Sequence, residues 1–306
     1  MKKRKLSKTK IHETLELTML ALPGIVLLFI FNYLPISGVL IAFKDYNPNK
    51  GIWGSPWVGF DNFKFFFTSQ DAVRTIRNTV GYSLAFIIFE IITGVTLAIL
   101  FYNLRNQKAL KFYNTVVILP RFLSMVIVAY IVYALLSPTS GVFNAILRQF
   151  GADGINWYGE PVYWPFILTF VHIWCTVGMK SILYYASLVG IDTGLLESAR
   201  MDGANKWQET WHIVIPHLIP LIIIQTIMSM GHIFNGDFGL NYQVTKNIGA
   251  LYPTTDIINT YTFRALQEAS LERGAAVGLF QNGAGCIMLI LVNAIVRKVR
   301  PEDSLF

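Results

Sequence analysis

Six stretches of the chain run long enough without polar interruption to cross a bilayer. Leu17 to Phe43 carries no charge, Asn78 to Tyr102 only Glu90, Phe112 to Leu136 only Arg121, and Pro161 to Gly190 only Lys180. Ile213 to Gly236 and Gly274 to Val296 contain no acid, Lys or Arg. A hydrocarbon core about 30 Å thick needs about 20 apolar residues in a helix. In lipid each segment must satisfy its own backbone hydrogen bonds, so these windows predict helices. The short alternating segments of a membrane barrel are not visible. The pattern predicts an all-α polytopic membrane protein with six transmembrane helices, over about 17–43, 78–102, 112–136, 161–190, 213–236 and 274–296. A basic arm (1–16) precedes this domain (17–300), and a short tail (301–306) follows it. The basic start of the first window suits a signal peptide, but no small-residue cleavage site follows it and five more spans do, which favours a retained helix.

Composition agrees. The 306 residues are 54% hydrophobic and 14% charged, against about 25% charged in soluble domains. The net charge of +7 does not point to nucleic acid, because six basic residues fall in the first ten positions, just before an apolar run. Cys175 and Cys286 give neither a disulfide framework nor a metal spacing. No GxxxxGK[ST] loop is present, so the chain is not expected to hydrolyse ATP.

Basic residues set the expected orientation. Lys2, Lys3, Arg4, Lys5, Lys8 and Lys10, then Arg105, Lys108 and Lys111, then Arg200 and Lys206, and finally Arg297, Lys298 and Arg300 fall on one side. The other side has longer loops and fewer cations: Lys44, Lys50, Lys64, Arg74, Arg77, Arg148, Lys246, Arg264 and Arg273. Both termini are therefore expected to be cytoplasmic. The outer loop from Asp45 to Gly59 mixes Tyr46, Trp53 and Trp57 with several Gly and Pro, and interfacial belt aromatics are its simplest reading.

The connection between spans four and five (191–216) has a local logic. Leu195 to Met201 suits a short helix, Gly203 breaks it, and Asn205 can cap a second helix that reaches the membrane near Pro216. The result is two short helices joined by a glycine elbow. From periodicity alone this is an ordinary surface hairpin or a knob that enters a groove on a partner.

Glu197, Ala199, Asp202, Gly203, Ala204, Ile213 and Pro216 resemble the signature loop of permeases in binding-protein-dependent ABC importers. Ser198 stands where a second Ala is usual, and Thr210 where an aromatic is common. The likeness continues through Phe43-Lys44-Asp45-Tyr46-Asn47-Pro48, Trp57-Val58-Gly59-Phe60, Asn78-Thr79, Leu119-Pro120, Gly190-Ile191-Asp192 and Asp303-Ser304-Leu305-Phe306. It covers nearly the whole chain and is similar to the polysaccharide and complex-oligosaccharide branch. The resemblance implies the type I importer permease fold in a bacterial cytoplasmic membrane. It implies a second permease, two ATPase subunits that bind ATP and Mg, and an extracellular or periplasmic sugar-binding protein. It makes the elbow the coupling helix and an oligosaccharide the cargo, with no cofactor or metal in this subunit.

Candidate pathway residues follow from polarity within spans, where burial of charge is costly. Glu90 either accepts sugar hydroxyls or pairs with another helix. Arg121 and Lys180 lie toward the cytoplasmic ends of their spans, where snorkelling is expected. His172, Trp174, Tyr184 and Tyr185 offer hydrogen bonds and stacking for a sugar, or simply pack between helices. His232, Asn235 and Asp237 line a cavity or cap a helix. Gln281 and Asn282 are expected to face the bundle interior. Nothing orders Ser, His and acid groups into a triad, and His172 and His232 lie on different spans without further ligands. The rival readings are a secondary transporter with Glu90 as proton site, disfavoured because no inverted repeat is visible, and a membrane scaffold that binds partners through the same loop.

Overall fold

The computed structural model describes residues 8–267 and 270–306. Residues 1–7 of the expected basic arm lie outside the described residues. Among the described residues the chain is helical, and its one β pairing is a bridge between Lys44 and Trp57. Helix α1 (Lys8–Leu28) runs through a π turn, Phe29–Tyr33, into a 3-10 segment, Leu34–Phe43. The long helices that follow are α2 (Gln70–Asn103), α3 (Gln107–Ile118), α4 (Met125–Leu136) and α5 (Trp164–Val189). The connecting helix α6 (Thr193–Met201) leads to α7 (Ile215–Gly231) and α8 (Leu271–Val299). Five helical stretches are long and apolar enough to span a membrane: Glu16–Phe43, Asp71–Asn103, Pro161–Val189, Lys206–Gly231 and Leu271–Val299.

The third expected span is not one helix. Gln107–Phe122 and Met125–Leu136 meet at a bend of 99°. Pro120 removes a backbone donor and its ring blocks the preceding turn. The chain tightens to 3-10 geometry over Leu119–Phe122, Leu123 is extended, and Ser124 caps α4 by accepting from the Ile127 amide. Hydropathy passes over this break because the side chains around Pro120 remain apolar.

Close helix approach fixes the bend in place. Gly178 of α5 lies under the end of α3, where an added Cβ would overlap the Val117 carbonyl. Small residues at such crossings let backbones touch, which is how helices associate in lipid. The loop from Asp45 to Gly59 is closed by the residues that flank it. Buried Lys44 donates to the Ile52 carbonyl at 2.8 Å and lies 4.9 Å from the Trp57 ring centre. Asn62 closes the loop by donating to the Ala42 and Lys44 carbonyls, both at 3.0 Å. At the other end Asn293 donates to the Phe306 carbonyl (2.9 Å) and accepts from the Leu305 amide (2.8 Å), so the C-terminal tail is pinned to α8.

Candidate functional site

Two constellations stand out, one at the elbow and one inside the bundle. The elbow is built by local chemistry. Asp192 caps α6 by accepting from the Gly194 amide at 2.9 Å. The helix ends in a Schellman motif: Ala204 N–H bonds the Ala199 carbonyl and Gly203 N–H bonds Arg200. Gly203 has φ +84°, a left-handed conformation that side chains with a Cβ resist. A capping box follows, in which the Asn205 side chain accepts from the Gln208 amide and the Asn205 amide donates to the Gln208 side chain. The second helix, starting at Lys206, then runs through a π turn, Thr210–Val214, directly into α7.

The elbow is braced from within. Glu209 is 5% exposed and accepts from Arg200 Nε at 2.8 Å and Lys206 Nζ at 2.7 Å, tying its two helices together. Leu196 and Val214 bury into a cluster with Ala98 of α2 and with Tyr184 and Leu188 of α5. Glu197 and Asp202 are exposed, as are Gly203 and Pro216, while Ala199, Ala204 and Ile213 are half-buried. The tip presents Met201, Trp207 and Trp211 to the outside, the two indoles edge-to-face at 5.5 Å. Exposed aromatics on a rigid knob have the composition of a docking surface. The sequence reading named the elbow but missed Glu209, whose i,i+3 spacing from Lys206 was the available signal.

Inside the bundle, Glu90 of α2 faces α5. Its Oε1 lies 3.0 Å from His172 Nε2 and its Oε2 lies 3.1 Å from Lys180 Nζ. His172 Nδ1 sits 3.4 Å from Asp237 Oδ2, in ion-pair range but without hydrogen-bond geometry. Phe86 stacks on the imidazole at 3.7 Å with 5° between planes, which orients the ring between the two carboxylates. Asp237 also caps the next turn by accepting from the Leu240 amide at 3.0 Å. Lys180 therefore does not snorkel as expected. It reaches Glu90 because the two side chains face each other where α2 crosses α5, next to Gly94, which lies against both Lys180 and Tyr184.

The other sequence candidates scatter. Tyr184 is buried in the elbow cluster, and Trp174 lines an apolar groove with Ile131, Phe143 and Phe170, whereas His172, two residues away, faces Glu90. Asn235 is exposed. Gln281 is buried and donates to the Phe234 carbonyl and to Asn259, so it ties α8 to the segment after α7. Asn282 does not face the interior as expected. It is exposed and donates to the Gly278 carbonyl of its own helix, because one residue after Gln281 the helix has turned by about 100°. The network offers carboxylate, imidazole and ammonium groups to hydroxyl-rich molecules. No group of three or more His, Cys, Asp or Glu that could hold a metal occurs among the described residues.

Residues 90–301 match the family described as binding-protein-dependent transport system inner membrane component. Protein LplB of Bacillus subtilis is 32% identical over 94% of this chain and 90% of its own length. The polygalacturonan/rhamnogalacturonan transport system permease protein YteP, also of Bacillus subtilis, is 32% identical over 98% of this chain and 93% of its own. A chain of a bacterial ABC transporter involved in the import of the acidic polysaccharide alginate superposes with a TM-score of 0.87, at 31% identity, over 95% of this chain and 98% of that one. A second structure of the alginate transporter, in complex with an alginate pentasaccharide-bound periplasmic protein, gives a TM-score of 0.85 at 31% identity over 95% and 97% of the two chains. With the matched region covering more than half of its length, the chain belongs to the family of inner membrane components of binding-protein-dependent transport systems.

Proposed function

We propose that the chain is one permease half of an ATP-driven importer that carries oligosaccharides released from polysaccharides across the cytoplasmic membrane. The observation that carries this reading is the braced elbow: a rigid, aromatic-tipped knob continuous with α7 and packed through Leu196 on α2 and α5. A second permease completes the path, and a solute-binding protein delivers the sugar. Two ATPase subunits bind ATP and Mg and dock on the elbows, while this chain supplies no nucleotide site of its own. The excess of Lys and Arg on the elbow's side of the spans supports a cytoplasmic position for elbow and termini, where ATP is available. Closure of the ATPase pair draws the elbows together, and the bundle turns outward because Glu209 keeps this chain's elbow stiff. The sugar class is supported by relatives whose names carry polygalacturonan, rhamnogalacturonan and alginate.

The test uses the transporter purified with its ATPases and binding protein and placed in liposomes. Gly203→Pro demands φ near −65° where the chain has +84°, and Glu197→Lys reverses an exposed charge without touching the core. Both are expected to abolish sugar uptake while the ATPases still bind ATP. Uptake that persists unchanged in both variants refutes the coupling role.

A further inference from the structure

His172 faces a carboxylate with each of its ring nitrogens. Nε2 lies 3.0 Å from Glu90 Oε1, and Nδ1 lies 3.4 Å from Asp237 Oδ2. Nδ1 is buried and has no hydrogen-bond partner. A neutral imidazole donates from one nitrogen and accepts at the other, so in that form one lone pair points at a carboxylate. The imidazolium donates from both. Charge balance leads to the same form. Glu90, Asp237 and Lys180 together carry one net negative charge, and a proton on His172 cancels it. His172 and Glu90 both lie near the middle of helical stretches long and apolar enough to span a membrane, where an unbalanced charge is costly. The other titratable groups nearby are Cys175, one turn along α5, and Arg121 of the bend between α3 and α4, which acts on Asp237 through space; neither bonds to the imidazole.

The partners of His172 belong to different parts of the chain. Glu90 and Lys180 sit at the α2–α5 crossing. Asp237 follows the end of α7 by six residues, and α7 continues directly from the elbow through the π turn at Thr210–Val214. Phe86 stacks on the imidazole and holds its plane between the two carboxylates. The contact between Nδ1 and Oδ2 is therefore where the far end of the elbow's helix meets the α2–α5 pair, and its sign depends on one proton.

We propose that His172 is a positioning residue that carries this proton, and that its imidazolium ties Asp237, and with it the segment after α7, to the α2–α5 pair. Loss of the proton to water leaves a neutral ring that is bonded to Glu90 and turns a lone pair toward Asp237, so the tie is gone. Its effect on uptake rests on the transport reading above; the tie itself does not.

Asp237→Asn tests the tie in the intact complex. The amide keeps an oxygen for the Leu240 N–H and places an NH2 donor where Oδ2 faced Nδ1. The carboxylate thus pairs with the imidazolium and the amide with the neutral ring. Thermal unfolding is followed from about pH 6 to about pH 9, which brackets the ordinary histidine value of about 6.5. Wild type is expected to unfold above the variant at the acid end and below it at the alkaline end. The difference in Tm is expected to change by about 3–5 °C, the shift of a tenfold change in the folded ratio for chains of 150–250 residues. A difference that stays constant with pH overturns the tie. In a His172→Gln background the pH dependence of the difference is expected to vanish; its persistence assigns the effect to another group and overturns the proposal. In liposomes at the acid end of the range, with trigalacturonate or maltotriose loaded on the binding protein, Asp237→Asn is expected to lower the sugar moved per ATP hydrolysed roughly tenfold, the worth of a hydrogen bond to a charged group. The loss should shrink as the pH rises, and an unchanged ratio overturns the positioning role. Partner ATPase turnover that no loaded binding protein raises overturns the transport reading, while the thermal measurement still decides the tie.

Discussion

Replacement of Glu90 by Ala leaves an ammonium and an imidazole in the bundle without their shared acceptor. The carboxylate is 13% exposed and contacts Lys180 at 3.1 Å and His172 at 3.0 Å. At an effective dielectric near 20, the Lys180 contact amounts to about 5 kcal/mol of gross attraction. Most of that is offset by desolvation of both ions, so the net worth of the pair is small. Loss of one partner alone is another matter, because it strands the other charge, at about 3–5 kcal/mol for a fully buried pair. Lys180 is 24% exposed, which lowers the expectation for Glu90→Ala to about 3 kcal/mol. Thermal unfolding of the solubilised complex reads this directly: about 2–4 °C per kcal/mol for chains of 150–250 residues implies a fall in Tm on the order of 6–12 °C. Lys180→Met should restore most of the loss when combined with Glu90→Ala, since the stranded ammonium is then gone. A double variant no more stable than Glu90→Ala alone would show that the ion pair is not what the carboxylate supports.

Two further outcomes follow from other contacts. Asp256 is fully buried and accepts from Arg74 (2.8 Å), Arg264 (2.7 Å) and Thr260 (2.7 Å), so Asp256→Asn should destabilise the segment between α7 and α8 by about 3 kcal/mol. Faster limited proteolysis between residues 237 and 270 is the expected readout, and unchanged protection would refute it. Trp207→Ala combined with Trp211→Ala removes exposed rings, 69% and 50% accessible, so it should leave Tm within the shift set by about ±0.5 kcal/mol. The same variant should weaken retention of the ATPase roughly tenfold or more in copurification, and undiminished retention would exclude the indoles from the docking surface.

The elbow was legible in the sequence because its determinants are local. A glycine where the chain must turn left-handed and an Asn that caps a second helix each act over a few residues, and both appear in the structure in the expected place, while Asp192 and Gln208 act just as locally but were not read as caps. The interior network was legible only as separate suspects. Glu90 and His172 lie 82 residues apart, and helical periodicity reports which residues share a face but not which face of another helix it meets. Asp256 and Arg74 lie 182 residues apart for the same reason, and neither stood out. The bend at Pro120 carried a visible local signal. It was outweighed because the window around it remained apolar, and hydropathy measures solvent preference rather than backbone direction.

Elbow and network are not independent features, because they share two helices. The elbow's Leu196 packs on Ala98 and Tyr184, and Glu90 stands eight residues before Ala98 on α2, about 12 Å along the axis. On α5, Lys180 stands one turn before Tyr184, and both side chains lie against Gly94, itself one turn from Glu90. A displacement of the elbow therefore acts on the α2–α5 crossing at the level where Glu90, Lys180 and His172 meet. Packed helices with a glycine at the crossing slide or rotate as bodies rather than bend, since interiors this dense are not continuously deformable. Such a slide changes the Glu90–Lys180 and Glu90–His172 distances together, and it moves the Gly178 contact that holds the bend bearing Arg121. The same rigid-body step that moves the elbow thus rearranges the polar groups at Glu90, Lys180 and His172, with α5 as the common lever.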